Sequence, residues 1–123
     1  MSLDLLAILG DAVWIFVMAT IASATRRAVK TIPADARLPM QWGAGGRPGW
    51  RARRNPAFAL AVGLPLIVGL GLSAAARAPG LDASDPLVLF LVRMAIAPVF
   101  ALVHMLWLRA VVRTLDAEGA LRP

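Results

Sequence analysis

Three long apolar stretches, Leu3–Ala24, Ala57–Ala76 and Leu87–Leu108, constrain this chain more than anything else in it. At about 1.5 Å per helical residue, each spans roughly 30 to 33 Å, the thickness of a bilayer's hydrocarbon core. Of 123 residues, 59 % are hydrophobic and only 16 % charged, too little polar sequence to wrap three such helices in a water-soluble shell. Mean hydropathy is +0.72. The reading is an all-α integral membrane protein. It has a single membrane domain over 1–123, with transmembrane helices at about 3–24, 57–76 and 87–112 and a Pro/Gly/Trp-rich basic loop, 25–56, between the first two. The start, Met1-Ser2-Leu3-Asp4, lacks the basic residues of a cleaved signal peptide, so the first stretch is expected to remain as a helix.

Charge sets the expected orientation. The 25–56 loop carries eight basic residues against Asp35 alone, a local charge of +7 that exceeds the +6 of the whole chain. Basic loops beside transmembrane segments stay cytoplasmic, where they also meet anionic headgroups. The N-terminus with Asp4 is therefore expected outside a bacterial inner membrane. The 77–86 connection, with Arg77, Asp82 and Asp85, joins it there, while the loop and the C-terminal tail, with Arg109, Arg113 and Arg122, lie inside. This topological role accounts for the basic character better than nucleic acid does. Cysteine is absent, which excludes disulfides and thiolate chemistry.

The second helix contains Gly63, Pro65, Gly69 and Gly71, and pairs such as Ala59 with Gly63 and Gly69 with Ser73 are four apart. Small residues at that spacing allow close helix approach in lipid, so this helix is expected at the packed centre, unless it is merely tolerant of glycine. Pro65 is expected to kink it. The third helix starts after Asp85-Pro86, passes Pro98 and Trp107, and is expected to run on through Arg109 to Glu118 and stop at Gly119. Trp107 reads as an ordinary interfacial belt residue.

The loop carries the most information. Its prolines and glycines preclude a continuous helix, and Trp42 and Trp50 are costly to hold in water without a surface to rest on. A structured loop lying against the membrane follows, each indole mostly buried, with Arg47, Arg51, Arg53 and Arg54 beside them as a partner or lipid interface. The run Ile32-Pro33, then Leu38-Pro39-Met40-Gln41-Trp42, then Gly46-Arg47-Pro48-Gly49-Trp50, followed by Arg51, Arg53 and Arg54, resembles a family of small bacterial membrane proteins. These are the SdpI-like proteins, related to the immunity protein against the sporulation-delaying toxin. The resemblance covers about residues 5–75 and rests on Pro33, Pro39, Gln41, Gly46 and Pro48 together with the two tryptophans; Gln41 stands where the family has a histidine. It implies a helix, a loop and a helix, and a module that senses or resists a membrane-active agent with the loop as recognition surface.

Asp11, Arg93 and His104 lie deep within the apolar stretches. Asp11 lies eight residues after Leu3, about 12 Å in, and Arg93 lies six after Leu87, about 9 Å in. Both helices run in the same direction, so the two charges share a depth, and a pair tying the first helix to the third is expected. A protonated Asp11, or an ion path, are the other readings. His104 is expected to hydrogen-bond across helices, to Thr20 or Ser23, ahead of ligating a haem or a chlorophyll-type metal. No nucleophile, phosphate loop, metal cluster or paired carboxylate arrangement reads as catalytic.

The expected function is thus non-catalytic and partner-binding: an accessory subunit of a larger respiratory or photosynthetic type of membrane complex, with the SdpI-like module as the alternative. Membrane lipids and other membrane subunits are the expected partners, with neither nucleic acid nor a required cofactor.

Overall fold

The first helix outlasts the apolar run that announces it. In a computed structural model that describes residues 3–78 and 85–122, α1 covers Leu3–Val29, α2 Arg54–Ala75 and α3 Asp85–Ala117. The side chains of Leu3 and Asp4, the positions Ser2, Asp82 and Ser84, and with them most of the 77–86 connection, lie outside the described residues. All three helices are long and apolar enough to cross a membrane. The chain has the all-α, three-helix architecture of a multi-pass membrane protein.

The helix ends have local causes. α1 keeps Arg26 and Arg27 in its last turn, where cations complement the exposed carbonyls. It closes where Ile32 N–H and the Thr31 hydroxyl both donate to the Ala28 carbonyl, at 3.1 Å each, and Pro33 prevents continuation. Pro56 and Pro86 sit in the first turns of α2 and α3, where a missing N–H costs nothing. α3 runs past the apolar stretch to Ala117 and is capped at Gly119, where the sequence places its stop. Ala120 N–H donates to Leu115 O at 2.8 Å and Gly119 N–H to Asp116 O at 3.0 Å, with Gly119 at φ +68°, the double closure of a Schellman cap.

α1 and α3 run parallel and form the main packing seam, with α2 antiparallel against them. Trp14, Val17, Ile21 and Ala97 are buried along the upper seam. A larger cluster at the other end joins Ala24, Ala28 and Ile32 to Ala57, Phe58, Leu108, Val111 and Leu115. The expectation that α2 is the packed centre fails. Its buried residues are Ala57, Phe58, Pro65 and Gly69, and it leaves Leu60, Leu64, Leu66, Ile67 and Leu70 exposed. Of its glycines only Gly69 makes a close approach, to the Trp14 indole, whereas Gly63 and Gly71 face open space. Small residues at a four-residue spacing permit close packing without compelling it, and of these glycines only Gly69 meets a neighbouring helix.

The loop is folded. β1, Arg37–Pro39, pairs antiparallel with β2, Arg51–Arg53, and a further bridge joins Trp42 to Pro48. At the tip, Gly45 and Gly46 take φ of +72° and +71°, a reversal that side-chain-bearing residues rarely adopt. The hairpin docks on the bundle: Leu38 and Pro39 are fully buried, and Leu38 belongs to the larger core cluster.

Candidate functional site

Two regions gather the residues singled out in the sequence, one at each end of the bundle.

At the upper end, Asp11 and Arg93 pair as their shared depth predicts. Arg93 Nη2 donates to Asp11 Oδ1, and Arg93 is only 1 % exposed. The guanidinium fits because α1 carries glycine where a side chain would stand: a Cβ on Gly10 would lie 2.6 Å from Arg93 Nη1. Nη1 also reaches the Ala7 carbonyl at 3.4 Å, and Nε has no partner among the described residues. A second arginine, not anticipated, completes the site. Arg77, just past the end of α2, donates from Nη2 to Asp11 Oδ2 at 2.6 Å, and from Nη1 to Ser73 Oγ and Ser73 O at 2.8 and 3.1 Å. Each carboxylate oxygen thus serves one arginine, and the cluster ties all three helices together with a residual charge of +1. Asp11 thus sits between two guanidinium groups.

One turn further down α1, Trp14 Nε1 donates to the Pro65 carbonyl at 3.1 Å, its ring edge-on to Phe100 at 5.8 Å. Gly69 makes room for that indole. Lower still, His104 is buried and bonds α1, but through Thr25 rather than Thr20 or Ser23. Thr25 Oγ1 lies 2.8 Å from His104 Nε2 and donates its one hydrogen to Ile21 O at 2.8 Å, so Nε2–H is the donor to Thr25. Thr20 instead bonds its own helix at Phe16 O. The correction follows from the extra turns of α1: Thr25 is a helix residue on the packed face, not the start of the loop.

At the lower end, the tryptophans take three different roles. Trp107 is more than a belt residue, since its Nε1 donates to the Pro39 carbonyl at 3.2 Å and its ring meets Phe58 edge-on at 5.8 Å. Trp42, half-buried, donates to Thr114 Oγ1 at 3.4 Å. Trp50 departs from expectation, for it is 53 % exposed on the hairpin's outer side. The basic residues also divide. Arg51 is drawn inward by a two-pronged ion pair with Glu118, at 2.9 and 2.6 Å, and Arg54 bonds Ile32 O at 2.9 Å and Asn55 Oδ1 at 3.0 Å. Neither is a free interface cation, whereas Arg47 and Arg53 remain exposed. The Arg51 guanidinium holds the Glu118 carboxyl below the usual glutamate value, and Glu118 in turn raises Arg51.

The motif positions face one another across the hairpin. Met40 N–H donates to Trp50 O at 3.0 Å, Gly49 N–H to Gln41 O at 2.7 Å and Gly43 N–H to Arg47 O at 2.8 Å. A Cβ on Gly49 would stand 2.8 Å from Gln41 Cγ, so the glycine is the space that Gln41 crosses. Pro33 and Pro48 are half-buried, at the α1 exit and opposite Trp42.

Fold and sites together define a three-helix membrane bundle closed at one end by an arginine–aspartate–arginine cluster and at the other by a docked basic hairpin. Compared with protein-family models, curated proteins and solved structures, the chain matches none.

Proposed function

We propose that this chain is a non-catalytic, multi-pass protein of a bacterial inner membrane that binds a larger membrane complex as an accessory subunit, through the hairpin end of the bundle. One observation carries the reading: a rigidly held loop presents Trp50 outward, with Arg47 and Arg53 beside it, while every neighbouring indole is committed within the chain. An exposed tryptophan on a preordered surface is the side chain most suited to anchoring a partner, because its large apolar face needs cover and little ordering cost remains. In this reading the hairpin end faces the cytoplasm. Arg26, Arg27, Lys30, Arg37, Arg47, Arg53, Arg109, Arg113 and Arg122 are all exposed there, in keeping with retention of basic loops on the inner side.

The second reading, an SdpI-like module sensing or resisting a membrane-active agent, draws on the loop motif. Its weight is reduced by what the motif residues do, since Pro39, Gln41, Pro48 and Gly49 are spent on making and docking the hairpin. Purification in a gentle detergent followed by mass analysis separates the two. The accessory reading expects a stoichiometric large assembly that Trp50→Ala loosens. A free small oligomer, unchanged by that substitution, contradicts it and favours the module.

A further inference from the structure

Between α1 and α2, away from the α1–α3 seam, the bundle leaves a lateral cleft of about 590 Å³. Its walls are Ile15, Met18, Ala19, Ala22, Leu66 and Leu70, and its closed end is the Asp11–Arg93 pair with Ser73. Along α1 it runs from Asp11 to Ala22, eleven residues or about 16 Å, close to the half-thickness of a hydrocarbon core of ~30 Å. Its long axis therefore matches one leaflet. Measured on α2, which ends at Ala75, rather than from Leu3 on the longer α1, the polar end at Ser73 and Arg77 lies within a turn of the level where headgroups begin.

We propose that this cleft seats one acyl chain of an anionic phospholipid, whose phosphate is held at Arg77. Three observations fix the occupant. The walls are apolar, and at Ala19 and Ala22 small enough to admit a hydrocarbon chain. The polar end is lined by Asp11, Arg93 and Ser73, and Arg77, which donates to Asp11 and Ser73 from just beyond it, gives the cluster a net charge of +1, complementary to a phosphodiester and opposed to a cationic amphiphile. Arg77 is half exposed and keeps donors beyond those given to Asp11 and Ser73, while the buried Arg93 Nε has no partner among the described residues. The inference is independent of which complex the hairpin end joins, because the cleft lies at the opposite end of the bundle.

The test is native mass spectrometry of the full chain released from bilayer discs of equal phosphatidylglycerol and phosphatidylethanolamine. One retained lipid per chain is expected, enriched in phosphatidylglycerol about fivefold, the factor that ~1 kcal/mol per basic side chain near a membrane surface gives. Ala19→Phe, which fills the cleft, should abolish retention. Arg77→Gln, a change at the exposed end, should keep a lipid but bring the two headgroups to near parity. Retention that is absent in the wild type, equal for both headgroups, or unaffected by Ala19→Phe overturns the proposal. So does a photocrosslinker at Ala19 that captures a polypeptide in native membranes, since the occupant would then be a partner helix.

Discussion

Asp11 is the residue on which the upper half of the bundle turns, because it is the counter-charge that allows a guanidinium to sit almost wholly out of solvent. Removing it leaves Arg93 buried beside Arg77 with no anion, so Asp11→Asn should destabilise the bundle by about 3 kcal/mol. Arg93→Leu leaves only a half-exposed ion pair and should cost less. The double variant should recover much of the loss, as expected for residues that act through each other. Reversible unfolding in mixed micelles measures all three, and strictly additive losses would contradict the coupling. Depth arithmetic along two parallel helices was enough to read the Asp11–Arg93 pair from sequence. Arg77 was missed because hydropathy assigns a residue beyond an apolar run to the connection. A long arginine at a helix end can instead reach back toward a buried carboxylate. Thr25 was missed for a related reason, since a fall in hydropathy at Arg26 marks the end of the apolar stretch and not the end of the helix.

Among the elements, the hairpin shows where a sequence reading runs short. Glycines and prolines declare that the loop is not helical, but strands of three residues carry too few positions for a visible alternation, and their partner surface lies on α3, far away in the chain. What fastens the hairpin is a set of single contacts, each open to measurement. Trp107→Phe keeps the ring against Phe58 and deletes only the N–H to Pro39, so it should loosen the hairpin by about 1 kcal/mol without disturbing the helices. Protection of the 37–53 amides in that variant gives the number. Acid acts at the Arg51–Glu118 bridge. Glu118 is lowered in the folded protein, so its contribution is present above the unfolded value of 4.5 and is lost as pH falls through the lower folded value. Both side chains are partly exposed, so the effect should stay under about 1 kcal/mol and weaken with salt. A hairpin that loosens between pH 8 and 6 would point to a different group.

At the scale of the whole molecule, three apolar stretches made the architecture legible, and the asymmetry of charge made the orientation an expectation. Which helix lies at the centre was not legible, since in lipid an apolar face gives no sign of whether it meets a neighbour or an acyl chain. α2 carries the small residues and yet is no more enclosed than its neighbours, its outward face left to the surrounding membrane. The orientation predicts that a reporter fused after Pro123 is active only in the cytoplasm and that one placed before Leu3 is active only outside; the reverse pattern would invert the proposal while leaving the fold intact. Every functional argument at the lower end depends on one claim, that the 37–53 segment is a preordered hairpin docked on α3 and not a solvated linker. Hydrogen exchange of the full chain in a bilayer tests it most directly. The amides of Met40, Gly43, Gly49 and Arg54, which donate to Trp50, Arg47, Gln41 and Ala36, should exchange far more slowly than unstructured chain, while Ala44, within the tip, should not be protected by the ladder. Exchange of all of them at the free-peptide rate would contradict the account.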